Sequence, residues 1–200
     1  MADVVSGGEG ADMSRQKFSV AYSGKDRPDD HSIDVEALGP ALIAFGRLIR
    51  EANSEFNGKK ATAKVLVISD FEHKCFNINF EVVMNIFEQV KTLLGDDHVE
   101  TAKNILEWIG LLKPIAAGGV GGISYLGYLR WRRGRKLVNT TTLTDQDKSG
   151  FVSVQVEGDH NPITVHHHVY NLSLNPRALR ATRDAFSPIG RDGFDNLETR

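Results

Sequence analysis

The stretch that decides the fold of the N-terminal half is Val35-Glu-Ala-Leu-Gly-Pro-Ala-Leu-Ile-Ala-Phe-Gly-Arg-Leu-Ile-Arg-Glu-Ala-Asn-Ser-Glu-Phe56. Its apolar residues recur at alternating spacings of three and four, at Val35, Leu38, Leu42, Phe45, Ile49, Ala52 and Phe56. Because an α-helix turns once every 3.6 residues, this spacing predicts one apolar stripe along a helix. Asp34 is placed to cap a helical turn, and Asn57-Gly58 to end the helix. Pro40 is placed to begin a fresh helix at its first position.

Strand patterns lie on both sides of this helix. Phe18, Val20 and Tyr22 alternate with smaller or polar residues, which indicates a half-buried strand. Ala61–Ser69 and Phe76–Val82 are predicted to pair as a hairpin. The first third is therefore predicted to be a β-α-β-β unit, with the helix over one face of the sheet and polar residues on the other.

The middle of the chain has helical patterns. Met84–Leu94 is predicted to be a short helix, and Asp96 or Asp97 is predicted to cap the next one. The apolar face of that second helix consists of Val99, Ala102, Ile105, Leu106 and Ile109. Pro114 limits its length.

The last part returns to strands. Val152–Val156 alternates, and Ile163–Tyr170 is predicted to be a second strand with His166 and His168 on one face and His167 on the valine face. A helix is predicted from Pro176 to Phe186. The fold class is therefore predicted to be α+β, with an N-terminal β-α-β-β unit, a helical middle containing a Gly-rich apolar segment, and a C-terminal β-hairpin plus helix.

These patterns divide the chain into four parts. They are a disordered tail at 1–15, the β-α-β-β unit at 16–95, a helical segment with a Gly-rich run and a basic end at 96–136, and a strand-helix part at 137–200. The first part is acidic and glycine-rich, which is typical of a mobile terminus.

The most unusual segment is Trp108-Ile-Gly-Leu-Leu-Lys-Pro-Ile-Ala-Ala-Gly-Gly-Val-Gly-Gly-Ile-Ser-Tyr-Leu-Gly-Tyr-Leu129, followed by Arg130-Trp-Arg-Arg-Gly-Arg-Lys136. Its apolar run is long enough to cross a bilayer, but Lys113, Pro114 and a mean hydropathy of only about 1.1–1.2 weigh against crossing. A membrane span, a peripheral contact and a buried helical hairpin are the three interpretations that the sequence leaves open.

This segment supplies the candidate interaction residues. Gly118 and Gly122 form a Gly-x-x-x-Gly pair, which lets two helices approach closely. Aromatic and basic side chains after them are suited to a membrane interface and to lipid headgroups. The full set is Gly118, Gly119, Gly121, Gly122, Tyr125, Tyr128, Arg130, Trp131, Arg132, Arg133 and Arg135.

The order Phe18-Ser-Val-Ala-Tyr22, the helix Ile33–Asn53 and Asn57-Gly58 resemble a widespread family of uncharacterised bacterial proteins. The resemblance covers roughly residues 17–195 and implies the architecture and a bacterial origin, with no assigned activity. Members tend to have Gly-Ser-Phe where this chain has Lys74-Cys-Phe76, which argues against essential chemistry at the cysteine. They also continue further, so the resemblance implies that the C-terminal part is incomplete.

Composition limits the classes of function. The formal net charge is −2, from 24 basic and 26 acidic residues, so nothing attracts the whole chain to nucleic acid or anionic lipid. One cysteine, Cys75, rules out an intramolecular disulfide and indicates a reducing compartment. Without a signal-like N-terminus, we expect a cytoplasmic protein, with a peripheral or anchored association with the inner membrane as the alternative.

Other motifs have simpler explanations. Gly118–Gly122 lacks the Gly-Lys-Ser/Thr ending of a phosphate-binding loop. Asp29-Asp-His31 and Asp96-Asp-His98 each precede a predicted helix, where aspartates act as caps. His166 and His168 have no further ligand at a fixed spacing, and Cys75 lacks a third catalytic partner. The sequence therefore predicts no catalytic, metal or cofactor site.

The leading hypothesis is a non-enzymatic interaction protein whose Gly-rich helical segment docks on a protein partner, on a second copy or on a membrane surface. One alternative is a nucleic-acid-binding module that uses residues 130–136. Another is an enzyme with its site between the two sheet-containing parts.

Overall fold

The computed structural model describes residues 12–24, 33–68, 76–87, 99–113, 122–144, 150–189 and 196–199. Across these residues the protein has two antiparallel sheets and five helices, which confirms the predicted α+β class. The elements are β1 (Asp12–Ser23), α1 (Val35–Asn57), β2 (Ala61–Ile68), β3 (Phe76–Ile86), α2 (Ala102–Ile109), α3 (Tyr125–Arg132), β4 (Leu137–Thr142), β5 (Phe151–Val156), β6 (Ile163–His166), α4 (His167–Leu174), α5 (Pro176–Ala185) and β7 (Asn196–Thr199).

The first sheet has the strand order β2-β3-β1-β7. Phe18 of β1 lies opposite Phe80 of β3, and their rings stack with centroids 4.9 Å apart. α1 packs on this face through Phe45, whose ring centroid is 5.6 Å from that of Phe80. The predicted β-α-β-β order, with the helix over one sheet face, is thus observed.

Local signals explain the ends of α1. The Asp34 carboxylate accepts a hydrogen bond from the Glu36 N–H at 3.0 Å, and Gly58 ends the helix with a positive φ of 56°. The predicted fresh start at Pro40 is wrong, because α1 runs through this proline without a break. The hydrogen bond that proline cannot donate would end on the carbonyl of exposed Glu36, which water can solvate.

Two buried asparagines join the end of α1 to its neighbours. Asn53 donates to the carbonyl of Ala61 at 2.9 Å, where β2 begins. Asn57 donates to Asn53 Oδ1 at 3.0 Å and to the Glu100 carbonyl at 2.9 Å, and its own Oδ1 accepts from the Glu100 N–H at 2.7 Å. This network holds the segment that leads into α2, because it satisfies polar groups that are out of reach of water.

The helix predicted at Met84–Leu94 is partly wrong. Met84 and Ile86 are buried residues of β3, which continues the alternation of Phe80 and Val82 beyond the predicted end of that strand. Residues 88–94 lie outside the described ranges, as do Asp96 and Asp97.

The next helix, α2, buries the predicted apolar face. Its N-cap is Thr101 rather than an aspartate, because the Thr101 hydroxyl accepts from the Asn104 N–H at 3.3 Å. The helix ends at Gly110, which has a left-handed φ of 96°.

The second sheet has the order β4-β5-β6. The predicted strand Ile163–Tyr170 ends at His166, and α4 begins at the next residue. Val169 and Leu172 are buried on α4 three residues apart, so burial there follows the helical period. β4 and β7 were not predicted, and residues 12–15 of the predicted tail belong to β1.

The predicted C-terminal helix is confirmed as α5. The Asn175 side chain accepts hydrogen bonds from the N–H groups of Arg177 and Ala178, as expected of its N-cap. The Tyr22 hydroxyl donates to the carbonyl of Ala185 at 3.0 Å and so ties the end of α5 to β1. Buried residues of both sheets belong to one contiguous core.

Candidate functional site

Gly110 and Ser124, described residues on either side of the Gly-rich segment, lie close together. A Cβ atom on Gly110 would lie only 2.6 Å from Ser124 Oγ, so the Ser124 side chain can pack this closely only because residue 110 is glycine. Gly122 is half-buried, whereas Gly118, Gly119 and Gly121 lie outside the described residues. The segment between these two positions therefore begins and ends on the same side of the fold.

Two of the predicted interaction residues belong to the core. Tyr125 and Tyr128 of α3 have no exposed surface, so the interfacial position predicted for them is not observed. The Tyr125 hydroxyl forms a 2.9 Å hydrogen bond with Thr182 Oγ1 on α5, and burial raises the pKa of Tyr125. These tyrosines anchor α3 to the protein. Within the described ranges, no helix is both long and apolar enough to cross a membrane.

We call residues Arg130–Lys136 the basic end. Arg135 holds it together: its guanidinium donates to the carbonyl of Trp131 at 2.8 Å, lies 5.5 Å from the centroid of the Trp131 ring and pairs with Asp159 at 3.6 Å. The Nε–H groups of Arg132 and Arg135 each donate to the other's carbonyl, at 3.1 and 3.3 Å. Arg132 and Arg135, two of the predicted interaction residues, thus stabilise the conformation of the basic end.

The other cations of the basic end point to solvent. Arg130, Arg133 and Lys136 are exposed, and none forms an ion pair with a residue in the described part of the chain. A cavity of about 330 Å³ lies beside them, lined by Arg133 and Arg135 together with Trp131 and Asp159. This surface can accept a negatively charged group without first breaking an internal ion pair.

Arg133 has an unusual backbone conformation. Its φ is +47°, and within the described ranges it is the one residue other than glycine with a positive φ. Arg133 is the C-cap of α3, and its backbone N–H donates to the Leu129 carbonyl at 3.0 Å. Helices commonly end in this left-handed conformation, which costs a residue with a Cβ about 1 kcal/mol or more relative to glycine. Gly134 follows with φ +74°, so the chain turns sharply directly after the helix.

A second cluster joins the two halves of the fold. The rings of Phe56 on α1, Trp108 on α2 and His166 on β6 lie together, with centroids 4.8 to 6.2 Å apart. Phe151 meets the His166 ring edge-on at 5.2 Å. Because β6 ends here, His166 and His168 do not share a strand face as predicted, and His168 instead packs against Phe56 from α4.

The other two histidines have fixed hydrogen bonds. His167 Nδ1 lies 2.9 Å from the carbonyl of Gly150, so it carries the proton and donates. His168 Nδ1 lies 3.0 Å from Glu55 Oε1, and Asn171 donates to the same oxygen at 3.0 Å. Within the described ranges, no three His, Cys, Asp or Glu side chains converge on a possible metal position. The cluster is therefore best described as a packed joint.

His166 makes this joint sensitive to pH. Burial, together with the nearby rings of His167 and His168, lowers the pKa of His166 to about 4, although the Glu100 carboxylate opposes the shift. Its Nδ1 is buried without a hydrogen-bond partner among the described residues. The folded state thus binds this proton less readily than the unfolded chain, whose histidine pKa is near 6.5.

We expect the protein to lose stability as pH falls from about 6.5 to 4, with His166 contributing on the order of 1–2 kcal/mol after allowance for its partial exposure. His166→Phe should flatten this part of the pH profile and preserve stability at pH 7, because it removes the proton and keeps an aromatic ring. Urea unfolding at several pH values measures both effects, with exposed His160→Gln as the control. An unchanged profile in His166→Phe would contradict the assignment.

The remaining sequence motifs, Asp29-Asp-His31, Asp96-Asp-His98 and the pair His73 and Cys75, lie outside the described residues. Comparison with known proteins found no match to this chain among family models, curated proteins or solved structures. The resemblance to a bacterial family stays a prediction. Function has to be inferred from the geometry of the basic end.

Proposed function

We propose that this protein is a non-enzymatic interaction protein that binds an anionic membrane surface through its basic end, and that the Gly-rich segment Gly118–Gly122 contributes to this attachment. The observation that supports this most is Arg133. Its backbone ends α3 in the left-handed conformation that glycine adopts most readily, while its guanidinium is exposed and has no ion pair within the described residues. A left-handed helix C-cap favours glycine. An arginine there, with a guanidinium that is exposed and has no ion pair among the described residues, is explained if that side chain serves an external anion.

Electrostatics supports a surface rather than a small pocket. Arg130, Arg133 and Lys136 are exposed within a span of seven residues. Each cation near an anionic bilayer contributes about 1 kcal/mol of attraction, and this falls off within a Debye length. The net charge of −2 means that this attraction comes from the basic end and orients the protein toward the membrane.

The neighbouring apolar segment fits the same orientation. Its ends meet at Gly110 and Ser124, and Ser124 caps α3, the helix that carries the basic end at its other terminus. An eight-residue helix is about 12 Å long, so Ser124 and the basic end are about that far apart at the two ends of α3. Two weak signals together give a reversible attachment, as with other peripheral membrane proteins. We therefore propose a peripheral location at the inner membrane.

Nucleic acid is a weaker candidate for the same cations. Base stacking needs an open aromatic face, and the Trp131 ring already contacts Tyr128, at a centroid distance of 5.8 Å, and the Arg135 guanidinium. Arg135 is also partly neutralised by Asp159. The partners of Trp131 thus favour a surface of headgroups over stacked bases.

Arg133→Gly separates binding from stability. Glycine adopts a positive φ freely, so we expect the variant to be more stable by about 1 kcal/mol. It should also bind vesicles of phosphatidylglycerol and phosphatidylcholine about fivefold more weakly, because one cation is lost. Urea unfolding and vesicle co-flotation measure the two effects.

Arg133→Lys is the matched control for that experiment. It keeps the charge and the strained backbone, so vesicle binding should stay near that of the original protein, without the gain in stability. If Arg133→Gly bound vesicles as well as the original protein did, Arg133 would have no role in membrane binding.

A further inference from the structure

A second group of arginines lies between α1 and α5. A groove of about 500 Å³ runs between these helices. Arg47 lines it from α1, and Arg177 and Arg180 line it from α5. The two α5 arginines are three residues apart and so share one helical face. Three guanidinium groups from two helices therefore face one opening.

These arginines are not neutralised by the protein. None of the three forms an ion pair with a residue in the described part of the chain, although Glu51 and Asp184 also line the groove. Glu51 is held by another partner, because Asn175 donates to its Oε2 at 2.9 Å. The groove thus offers three guanidinium groups and two carboxylates, and each of the two helices contributes charges of both signs.

We propose that this groove binds a small phosphate monoester that carries hydroxyl groups. Guanidinium groups match phosphate oxygens in a bidentate geometry. A bound phosphate dianion would also offset the repulsion among the three guanidinium groups that face the groove. Glu51 and Asp184 would accept hydrogen bonds from the hydroxyl groups of the same ligand. The volume is within the range of sites for small molecules.

This inference does not rest on the membrane proposal. The groove uses residues of α1 and α5, and the basic end lies at the end of α3. The two binding surfaces have no residue in common. Variants of each surface can therefore be tested independently.

Isothermal titration with inorganic phosphate, glucose 6-phosphate and glucose tests the proposal on the whole chain. Glucose 6-phosphate should bind with a Kd of about 1 mM or tighter at low salt, phosphate alone more weakly, and glucose not measurably. Arg177→Ala and Arg180→Ala should each weaken glucose 6-phosphate binding about tenfold, because each removes a charge-assisted contact.

The controls are exposed arginines on the same two helices that do not line the groove. Arg50→Ala on α1 and Arg183→Ala on α5 should leave the Kd unchanged, as should Arg133→Gly. The proposal is overturned if glucose 6-phosphate does not bind. It is overturned equally if Arg50→Ala or Arg183→Ala weakens binding as much as the groove variants, or if inorganic phosphate binds as tightly as the sugar phosphate.

Discussion

Replacing Arg130, Arg133 and Lys136 together with alanine is expected to weaken binding to anionic vesicles by about 100-fold. Each side chain is exposed and has no internal ion pair among the described residues, so its charge is available to an external anion. Removal of three cations at about 1 kcal/mol each gives the expected loss. Co-flotation with phosphatidylglycerol vesicles at low salt measures it.

The matched control removes three exposed lysines elsewhere. Lys17, Lys59 and Lys64 are exposed residues outside the basic end, and their replacement with alanine changes the net charge by the same amount. That control should bind vesicles nearly as well as the original protein. If both triple variants lost binding equally, the attraction would depend on net charge rather than on the basic end.

The second large effect is structural. Asn57→Ala is expected to lower the free energy of unfolding by about 3 kcal/mol, which corresponds to roughly 6–12 °C in Tm for a domain of this size. The substitution removes hydrogen bonds to Asn53 and to both backbone groups of Glu100. Those groups sit beside a 3% exposed side chain, so water cannot simply replace the lost partner.

Urea unfolding of Asn57→Ala beside Ser54→Ala measures this effect. Ser54 is exposed on the same turn of α1, and its loss should change stability by less than about 0.5 kcal/mol. A loss below about 1 kcal/mol for Asn57→Ala would mean that the network does not hold α1 to the segment before α2.

Elements with a strong local signal were predictable from the sequence. α1 combines a regular apolar stripe with the Asp34 cap and the Gly58 stop, and α5 begins with Asn175-Pro176. In both, the local propensity and the burial pattern agree. The pairing of β2 with β3 was also predictable, because β2 is rich in valine and isoleucine and β3 alternates apolar with polar side chains.

Elements that depend on distant partners were not predictable. β7 is four residues long and pairs with β1, so that Val20 lies opposite Thr199. β4 is an exposed edge strand with almost no buried residue, and its sequence carries no alternation. At His166 the alternating pattern fits a strand equally well, and only the packing of Val169 and Leu172 makes the next residues helical.

The same limit applies to the candidate sites. Arg132 and Arg135 look equivalent to Arg130 and Arg133 in the sequence, and the difference comes from Asp159 and from the turn after α3. The groove arginines are not predictable as a group, because Arg47 and Arg177 are 130 positions apart in the chain (177 − 47). Local sequence patterns do not show which residues of two separate helices lie side by side in the fold.

The most direct test of the central claim is co-flotation of the unmodified protein with vesicles of different charge. We expect it to float with vesicles of phosphatidylglycerol and phosphatidylcholine, to stay behind with phosphatidylcholine alone, and to be released by added salt. Failure to float with anionic vesicles at low salt would contradict the account. So would retention on RNA or DNA that matched or exceeded its affinity for the vesicles.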